Sequence, residues 1–355
     1  MLAGQEPQPR HGDRVVVDRE NQPLSRAPAD VANAADDHAV YAFGVKITGL
    51  PALPASPEPP RAGSPRTVAL RTVPKADIDA RWQARASRRL IDRRWPDGRL
   101  FLAIDEDHRV GYRIDAPEIG VHLVNATGTE VLLPEPEGPD WFWQRLLFAQ
   151  TLPIAATLQG LALFHASAVR IGDQAVAVAA PSGTGKSSTA AHLVAQGAEF
   201  FTDDVLAVDL VANKLLAFAG PRFTNIEEHE VRAVEADRRE ALGRLLGESS
   251  KQHHLPPPVS ETSLPLAALY LLQRERDVDE IRVEEFDRSG TGALLASAFI
   301  PHLCTEERLA QHLELCGLMA SSGQVYRLRA PLRGSAAAVA TAVIDDARRR
   351  LPRDR

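Results

Sequence analysis

A glycine-rich stretch near the middle of the chain carries residue types that bind phosphate. The segment 181-PSGTGKSS-188 follows the apolar run 175-AVAVAA-180 and precedes a helical pattern. A phosphate group needs several converging backbone N–H donors, which a glycine-rich turn at a helix N-terminus supplies with help from the helix dipole. Gly183 and Gly185 permit backbone angles and a close approach that side chains forbid. The stretch therefore predicts a cradle for nucleotide phosphates.

Two side chains after the glycines would complete this cradle. Lys186 would reach the β- and γ-phosphates, and the Ser187 hydroxyl would bind Mg²⁺. The usual pattern GxxxxGK[ST] has a glycine where this chain has Ala180, and alanine occupies that position when the backbone angles allow it. A plain strand-to-helix turn would explain the glycines but not the lysine and two serines. The predicted nucleotide-binding residues are Ser182, Gly183, Thr184, Gly185, Lys186, Ser187 and Ser188.

Acidic residues near this loop are candidates for catalysis. Most P-loop ATPases carry an acidic residue at the end of a later strand, but here 267-AALYLLQRE-275 has Gln273 and Arg274 at that point. Asp203 and Asp204 instead follow Lys186 by 17 and 18 residues. We expect the pair at the tip of the neighbouring strand, where ligands bind in such sheets.

A histidine precedes the loop on the strand that leads into it. His165 lies 21 residues before Lys186, and a histidine beside an aspartate can hold it in place or tune its proton affinity. The spacing favours a functional histidine over an ordinary core residue.

The order of these residues resembles the catalytic domain of HPr kinase/phosphorylase. The stretch 164–210 is similar to that family's succession of strand, histidine, strand, P-loop, helix and acidic pair. It looks still more like the HPr-kinase-related proteins of bacterial peptide-modification gene clusters, which include kinases of lasso-peptide precursors. The segment 325-VYRLRAPL-332 is also similar to that group. The resemblance spans roughly residues 140–335 and is specific over 164–210.

The resemblance implies roles for individual residues. Lys186 would stabilise the transferring phosphoryl group, and Asp203 would take the proton of the attacking hydroxyl with His165 supporting it. Asp204 would assist through the metal or the substrate. Glu227 would contact Mg²⁺ directly or indirectly, although the adjacent Glu228 fits nearly as well.

The implied activity is an ATP- and Mg²⁺-dependent kinase that phosphorylates a serine or threonine hydroxyl of a peptide or protein. A ribosomal peptide precursor is the specific acceptor that the resemblance suggests. The chain has no counterpart of the family's glycine-rich RGLGI segment, and its N-terminal part shows no match to that family, so we do not expect HPr as the substrate or a phosphorylase activity.

Other functions would use the same residues. A small-molecule kinase would place them in a closed pocket, and a nucleotide-binding regulatory module would bind ATP without transfer, a reading to which Ala180 gives some weight. An enzyme like phosphoenolpyruvate carboxykinase shares a related core. It would also need a metal-binding set and carboxylate-binding arginines, which the sequence does not reveal.

The elements that must position these residues predict an α/β fold. We expect a P-loop domain over 139–355, with the phosphoenolpyruvate carboxykinase-like core that the resemblance implies. A small β-rich unit over 39–138 would precede it and hold the substrate or a partner, after a disordered tail over 1–38. The expected strands are 161–171, 175–180, 198–210, 214–220, 266–273 and 325–329, and the expected helices are 140–158, 186–196, 227–250, 305–320 and 335–350.

Composition narrows the function classes. The 355 residues carry a formal net charge of −6, which argues against a nucleic-acid partner. The uncharged stretch 146–164 is interrupted by polar residues and proline, which favours a buried helix and strand over a membrane span. The N-terminus has no apolar signal region, and the two cysteines, Cys304 and Cys316, fit reduced structural thiols. We therefore expect a cytoplasmic protein, which could form a homo-oligomer.

Lys251, His253 and His254 form a polar group late in the sequence. Lys251 could reach the γ-phosphate from a loop or be an ordinary solvated lysine. The two adjacent histidines favour loop residues over metal ligands, because neighbouring side chains rarely converge on one ion.

Overall fold

The structure is a computed structural model that describes residues 39–63, 66–83, 87–286, 290–299, 303 and 305–351. The predicted tail over 1–38 and Cys304 lie outside the described residues. The described chain is a mixed α/β structure with three sheets.

The first sheet has eight strands in the order β1-β2-β3-β8-β7-β6-β5-β4. Strands β4 to β8 form an antiparallel meander, and β3 joins it parallel to β8. The elements are β1 Val40–Ala42, β2 Val45–Thr48, β3 Thr67–Thr72, α1 Lys75–Arg81, β4 Arg88–Arg94, β5 Leu100–Asp107, β6 Gly111–Ala116, β7 Gly120–Asn125 and β8 Glu130–Leu133.

A bent helix connects this sheet to the second one. It consists of α2 Asp140–Leu146, a π-helical turn Leu147–Thr151 and α3 Leu152–Leu158, so the predicted helix over 140–158 is present. Residues buried on this helix join one hydrophobic core with both sheets. No helix of the described residues is long and apolar enough to cross a membrane.

The second sheet follows the order β12-β10-β11-β18-β14-β13-β9, with β20 beside β18 and β19 beside β20. A smaller sheet has the order β15-β17-β16. The remaining elements are β9 Ala162–Phe164, β10 Ala166–Ile171, β11 Gln174–Ala179, α4 Lys186–Ala195, β12 Glu199–Thr202, β13 Leu206–Val211, β14 Lys214–Phe218, β15 Thr224–Ile226, α5 Glu228–Ala233, a 3₁₀-helix Ala236–Leu242, β16 Arg244–Glu248, β17 Gln252–Leu255, β18 Ser263–Glu275, β19 Arg282–Glu285, α6 Thr291–Ala296, α7 Glu306–Ser321, β20 Val325–Pro331 and α8 Ala336–Arg350.

Strand β11 is apolar from Ala175 onward because both of its faces are covered. Ala175, Ala177 and Ala179 face the core under α7, whereas Val176 and Val178 face the core under α4 and α8. A strand buried on both faces reads as a continuous apolar run rather than an alternation. Its neighbours are β10, which is antiparallel, and β18, which is parallel.

Two predicted strands are each divided in the structure. The stretch 161–171 breaks at His165, because β9 pairs with β13 whereas β10 pairs with β11 and β12. The stretch 198–210 breaks at the turn 203–205 between β12 and β13. Strand β10 also lies between β11 and β12. The sequence suggested that the aspartate pair follows the strand next to β11, but the pair follows β12, which is one strand further away.

The prediction of one long helix over 227–250 is wrong. The segment holds α5, the 3₁₀-helix and strand β16. Gly243 ends the helical part with a φ of 83°, and a Cβ there would lie 2.0 Å from the Leu255 carbonyl oxygen. Pairing of β16 with β17 thus overrides the charge pattern that favoured a solvated helix.

One buried histidine in the first sheet links stability to pH. His122 is 3% exposed, and its Nδ1 lies 2.7 Å from the Thr151 hydroxyl, which itself donates to the Leu146 carbonyl. Burial lowers the pKa of His122 to about 4. The His122 ring is therefore neutral at pH 7.

We expect His122→Gln to flatten the decline of stability in acid. The unfolded chain takes up a proton near pH 6.5 whereas folded His122 does not, so stability is lost as the pH falls from about 6.5 towards 4. Between pH 6.5 and 5 the wild type should lose about 2 kcal/mol more than the variant, measured by urea unfolding. The exposed His229→Gln is the control, and parallel profiles for wild type and His122→Gln would contradict this assignment.

Candidate phosphate-binding site

The glycine-rich loop connects β11 to α4 at the end of the second sheet. Gly183 has a φ of 77° and Gly185, the residue before the helix, has a φ of 102°. Both values lie in the left-handed region that favours glycine. The first N–H groups of α4 have no partner within the helix, so the loop and helix end together form a polar concavity suited to an anion.

Lys186 folds back into this concavity. Its Nζ donates to the carbonyl oxygens of Ala180 at 2.8 Å and Pro181 at 3.3 Å. The side chain is buried, and desolvation lowers its pKa while Asp204 and Asp203 act in the opposite direction. A buried cation with neutral carbonyl partners is a favourable partner for an incoming anion.

Ala180 fits the position that holds glycine in the usual pattern. It is not among the residues with positive φ, and its methyl group is buried in the core below α4. No glycine backbone is required at this point. The substitution therefore leaves the shape of the loop compatible with phosphate binding.

The remaining predicted loop residues lie where the sequence placed them. Ser182 and Gly183 are exposed, and Thr184 and Ser187 are half-buried. Ser188 is buried in the first turn of α4. Thr184 closes the turn by donating its N–H to the Pro181 carbonyl at 3.3 Å.

Asp203 is a buried carboxylate whose two oxygens each accept two hydrogen bonds. Oδ1 accepts from the Ser167 hydroxyl at 2.6 Å and the Asp204 N–H at 2.9 Å. Oδ2 accepts from the Thr224 hydroxyl at 2.7 Å and the Asn225 N–H at 3.3 Å. This arrangement leaves Asp203 with no obvious lone pair for another proton, and it ties β10, the turn after β12 and β15 together.

Asp204 differs from its neighbour in exposure and in backbone. Its side chain is 45% exposed, and its φ is 68°, an uncommon value for a residue with a side chain. The Val205 N–H donates to the Asp203 carbonyl at 2.8 Å within the same turn. The turn therefore presents the Asp204 carboxylate outward while Asp203 is anchored below it.

His165 contacts Asp204, whereas the sequence analysis expected it to support Asp203. Its Nδ1 lies 3.0 Å from the Asp204 carbonyl oxygen and 3.2 Å from Oδ1 of the same residue. Both partners are acceptors, so Nδ1 carries the proton. Burial lowers the pKa of His165 against the raising effect of Asp204, and the neutral ring keeps a lone pair on Nε2.

The small sheet holds a buried histidine, His253, which lies on strand β17 and not in a loop. His253 pairs with Asn225 across β17 and β15, and its ring stacks between Trp141 and Phe223 with centroids 4.7 and 5.8 Å away. Its Nδ1 contacts the Asn225 side-chain oxygen, and its Nε2 lies 2.9 Å from the Ser249 hydroxyl. Burial lowers the pKa of His253 to about 3. This network holds Asn225, and therefore Asp203, in place.

Two charged residues lie next to the small sheet. The Lys251 Nζ is 3.8 Å from the Glu227 carboxylate, and Lys251 also acts to lower the pKa of Lys186. Glu228 forms an ion pair with Arg232 on α5. Lys251 thus lies in the electrostatic neighbourhood of the loop, with Glu227 beside it.

Metal binding at this site would depend on the nucleotide. No group of three or more His, Cys, Asp or Glu side chains in the described part of the chain is arranged to hold a metal ion. Mg²⁺ usually takes one or two carboxylates together with phosphate oxygens and water rather than a cage made only of protein. Ser187, Asp204 and Glu227 remain the predicted donors for such an ion.

The sequence did not reveal several polar residues that shape the site. Ser167, Thr224 and Asn225 surround Asp203, and Arg274 binds the loop from the end of β18. Only Arg274 had a signal in the sequence, because it occupies the strand end where many P-loop proteins have an acid. The others are common residue types whose role arises from pairing across strands.

A separate cleft lies away from the loop. It has a volume of about 370 Å³ and is lined by β9, β13 and α7, including Leu163, Val208 and Leu315. No residue of the phosphate loop lines this cleft.

Comparisons with known proteins give little similarity. No family model and no curated protein matches the chain. Among solved structures, the chain is similar to the HPr(Ser) kinase/phosphatase from Coxiella burnetii, at 13% identity and a TM-score of 0.28. That similarity covers 53% of this chain and 91% of the other. A TM-score of this size carries no argument about function.

We expect Gly247→Ala to destabilise the small sheet. A Cβ at Gly247 would clash with the Trp141 indole, which stacks on His253, so the indole or the β16 backbone must shift. Overpacking of this kind costs roughly 1–3 kcal/mol, which urea unfolding would measure. Gly317→Ala is the matched control, because its Cβ would meet nothing within 4 Å on α7 and should be neutral or stabilising. Equal stability of Gly247→Ala and wild type would show that the stack is not constrained at this point.

Proposed function

We propose that this protein is an ATP- and Mg²⁺-dependent kinase that transfers the γ-phosphate to a serine or threonine hydroxyl of a peptide or protein. The observation that carries the proposal is the convergence of a buried lysine in a glycine-rich loop with the Asp204–His165 pair. Asp204 acts on the pKa of Lys186, and Lys186 and Asp204 both act on the pKa of His165, so the three groups share one electrostatic neighbourhood.

The phosphate cradle is assigned to the loop 182–188. On nucleotide binding, the Lys186 ammonium would exchange the Ala180 and Pro181 carbonyls for phosphate oxygens, which gives it a charged partner. The Ser187 hydroxyl and the Glu227 carboxylate would hold Mg²⁺ together with phosphate oxygens. The bound metal ion would neutralise charge that develops on the phosphates.

Asp204 is the geometrically favoured base within this proposal. The sequence analysis gave that role to Asp203, but the Asp203 oxygens already accept four hydrogen bonds. The carboxylate of Asp204 is partly exposed and has His165 beside it. Asp203 then has the role of anchoring the turn that carries the base, and His165 orients Asp204.

The proposed transfer moves one proton and one phosphoryl group. The acceptor hydroxyl gives its proton to the Asp204 carboxylate while its oxygen forms a bond to the γ-phosphorus. The bond between that phosphorus and the β,γ-bridging oxygen breaks, and ADP leaves with the electron pair. Lys186 offsets the negative charge on the transferring group, and catalysis rests on positioning and charge stabilisation.

The openness of the site supports a peptide or protein acceptor. Pro181, Ser182 and Gly183 are exposed, and the Asp204 side chain is also accessible. A bulky substrate can therefore approach the base. A ribosomal peptide precursor is the specific acceptor within this proposal, in keeping with the sequence resemblance.

Phosphate transfer from γ-labelled ATP with Mg²⁺ to candidate precursor peptides tests the proposal. We expect Asp204→Asn to lower transfer by roughly 10²–10⁴-fold with nearly unchanged ATP binding, because a general base contributes about that much. Lys186→Ala should abolish transfer and weaken ATP binding. Asp173→Asn is the control, because its carboxylate is highly exposed on the turn between β10 and β11.

Other outcomes would change the assignment in defined ways. If Asp203→Asn folds normally and loses transfer while Asp204→Asn remains active, the base is Asp203. Label that moves only to small hydroxyl compounds would indicate a small-molecule kinase. ATP binding without transfer to any acceptor would indicate a regulatory module and overturn the kinase proposal.

A further inference from the structure

Strand β18 ends beside the phosphate loop. It carries an arginine at the strand end where most P-loop ATPases have an acidic residue. β18 runs parallel to β11, the strand that leads into the loop, so the two strand ends lie side by side. Arg274 is the penultimate residue of β18 and is half-buried. Neither the predicted roles nor the proposed reaction uses this residue.

Arg274 joins three segments that are far apart in the sequence. Its Nε donates to the Thr184 carbonyl in the loop at 2.9 Å. Its Nη1 donates to the carbonyls of Pro331 at 3.2 Å and Gly334 at 2.6 Å, at the turn before α8. The guanidinium thus fixes the loop to the β20–α8 turn through three neutral acceptors.

The contact with Thr184 sets the direction of a backbone donor. The carbonyl and N–H of one planar peptide point in opposite directions. Holding the Thr184 oxygen towards Arg274 therefore turns the Gly185 N–H to the opposite side of the loop. Because N–H groups that face the concave side of such a loop form an anion site, this peptide orientation is part of the cradle.

The charge of Arg274 also remains close to the cradle. Among the described residues, no carboxylate forms a direct ion pair with Arg274, and Glu230 acts on its charge only through space. A Cβ at Gly185 would lie 3.4 Å from the Arg274 Nη2, which places the guanidinium directly against the loop backbone. An arginine keeps its proton in proteins, so its positive charge adds to the attraction for phosphate.

We propose that Arg274 is a positioning residue that preorganises the phosphate cradle for the di- or triphosphate of a nucleotide. It acts through the Thr184–Gly185 peptide and through its positive charge. This inference rests on the phosphate-binding part of the proposed function and is independent of transfer to any acceptor.

Nucleotide affinity measured by calorimetry on the full chain tests this role. We expect Arg274→Gln to weaken ATP and ADP binding by roughly 10- to 100-fold, because the variant loses the charge-assisted hydrogen bonds that hold the loop. Adenosine binding should not change, because it places no phosphate in the cradle. Arg274→Lys should be intermediate, since an ammonium keeps the charge but cannot span three carbonyls with a planar fork.

A chemical rescue and a matched control complete the experiment. Methylguanidine should restore ADP binding by Arg274→Ala, which a general loss of folding would not allow. Arg329→Gln is the control, because Arg329 lies on the adjacent strand β20 and pairs with Glu275 and not with the loop. Urea unfolding of each variant shows that binding is compared between folded proteins.

The outcomes separate this inference from the proposed kinase. Wild-type ATP affinity in Arg274→Gln, or an equal loss of adenosine binding, would overturn the role of Arg274. ATP binding that depends on Arg274 without transfer to any acceptor would overturn the kinase and support this inference. A wild-type protein that binds neither ATP nor pyrophosphate would overturn both.

Discussion

The buried carboxylate of Asp203 joins the elements on which the candidate site depends. Four donors converge on it, two hydroxyls and two backbone N–H groups, and they come from β10, from the turn after β12 and from β15. A carboxylate removed from water is costly unless its oxygens are satisfied, so this arrangement strongly restricts where the three elements can lie. The hydrogen bonds of Asp203 also fix the position of Asp204, because Asp204 is the next residue in the same turn.

Burial and charge also divide the tasks of the ionisable groups. Lys186 is held in the loop as a cation, whereas His165 is held neutral beside Asp204. Burial also keeps His253 neutral, and its two ring nitrogens link Asn225 to Ser249. Histidines thus orient a candidate base in one place and form part of the framework in another.

The two large sheets are packed as one hydrophobic unit near this site. Phe43 donates its N–H to the Ala219 carbonyl at 2.7 Å, and Arg66 forms an ion pair with Asp209 at 2.7 Å. Trp141, at the start of the connecting helix, stacks on His253 of the small sheet. Contacts therefore run without a break from the first sheet through Trp141, His253 and Asn225 to Asp203.

The sequence by itself determined the local parts of this protein. The apolar run, the glycines and Lys186 predicted the strand, loop and helix, because their conformational preferences act within a few residues. It could not reveal that β10 separates β11 from β12, that His165 contacts Asp204, or that 243–248 turns from helix into strand. Nor could it show that Ser167 and Thr224 saturate Asp203 or that Arg274 reaches Thr184 across 90 residues. Those features arise from pairing and burial between distant segments, and only the tertiary structure decides such contacts.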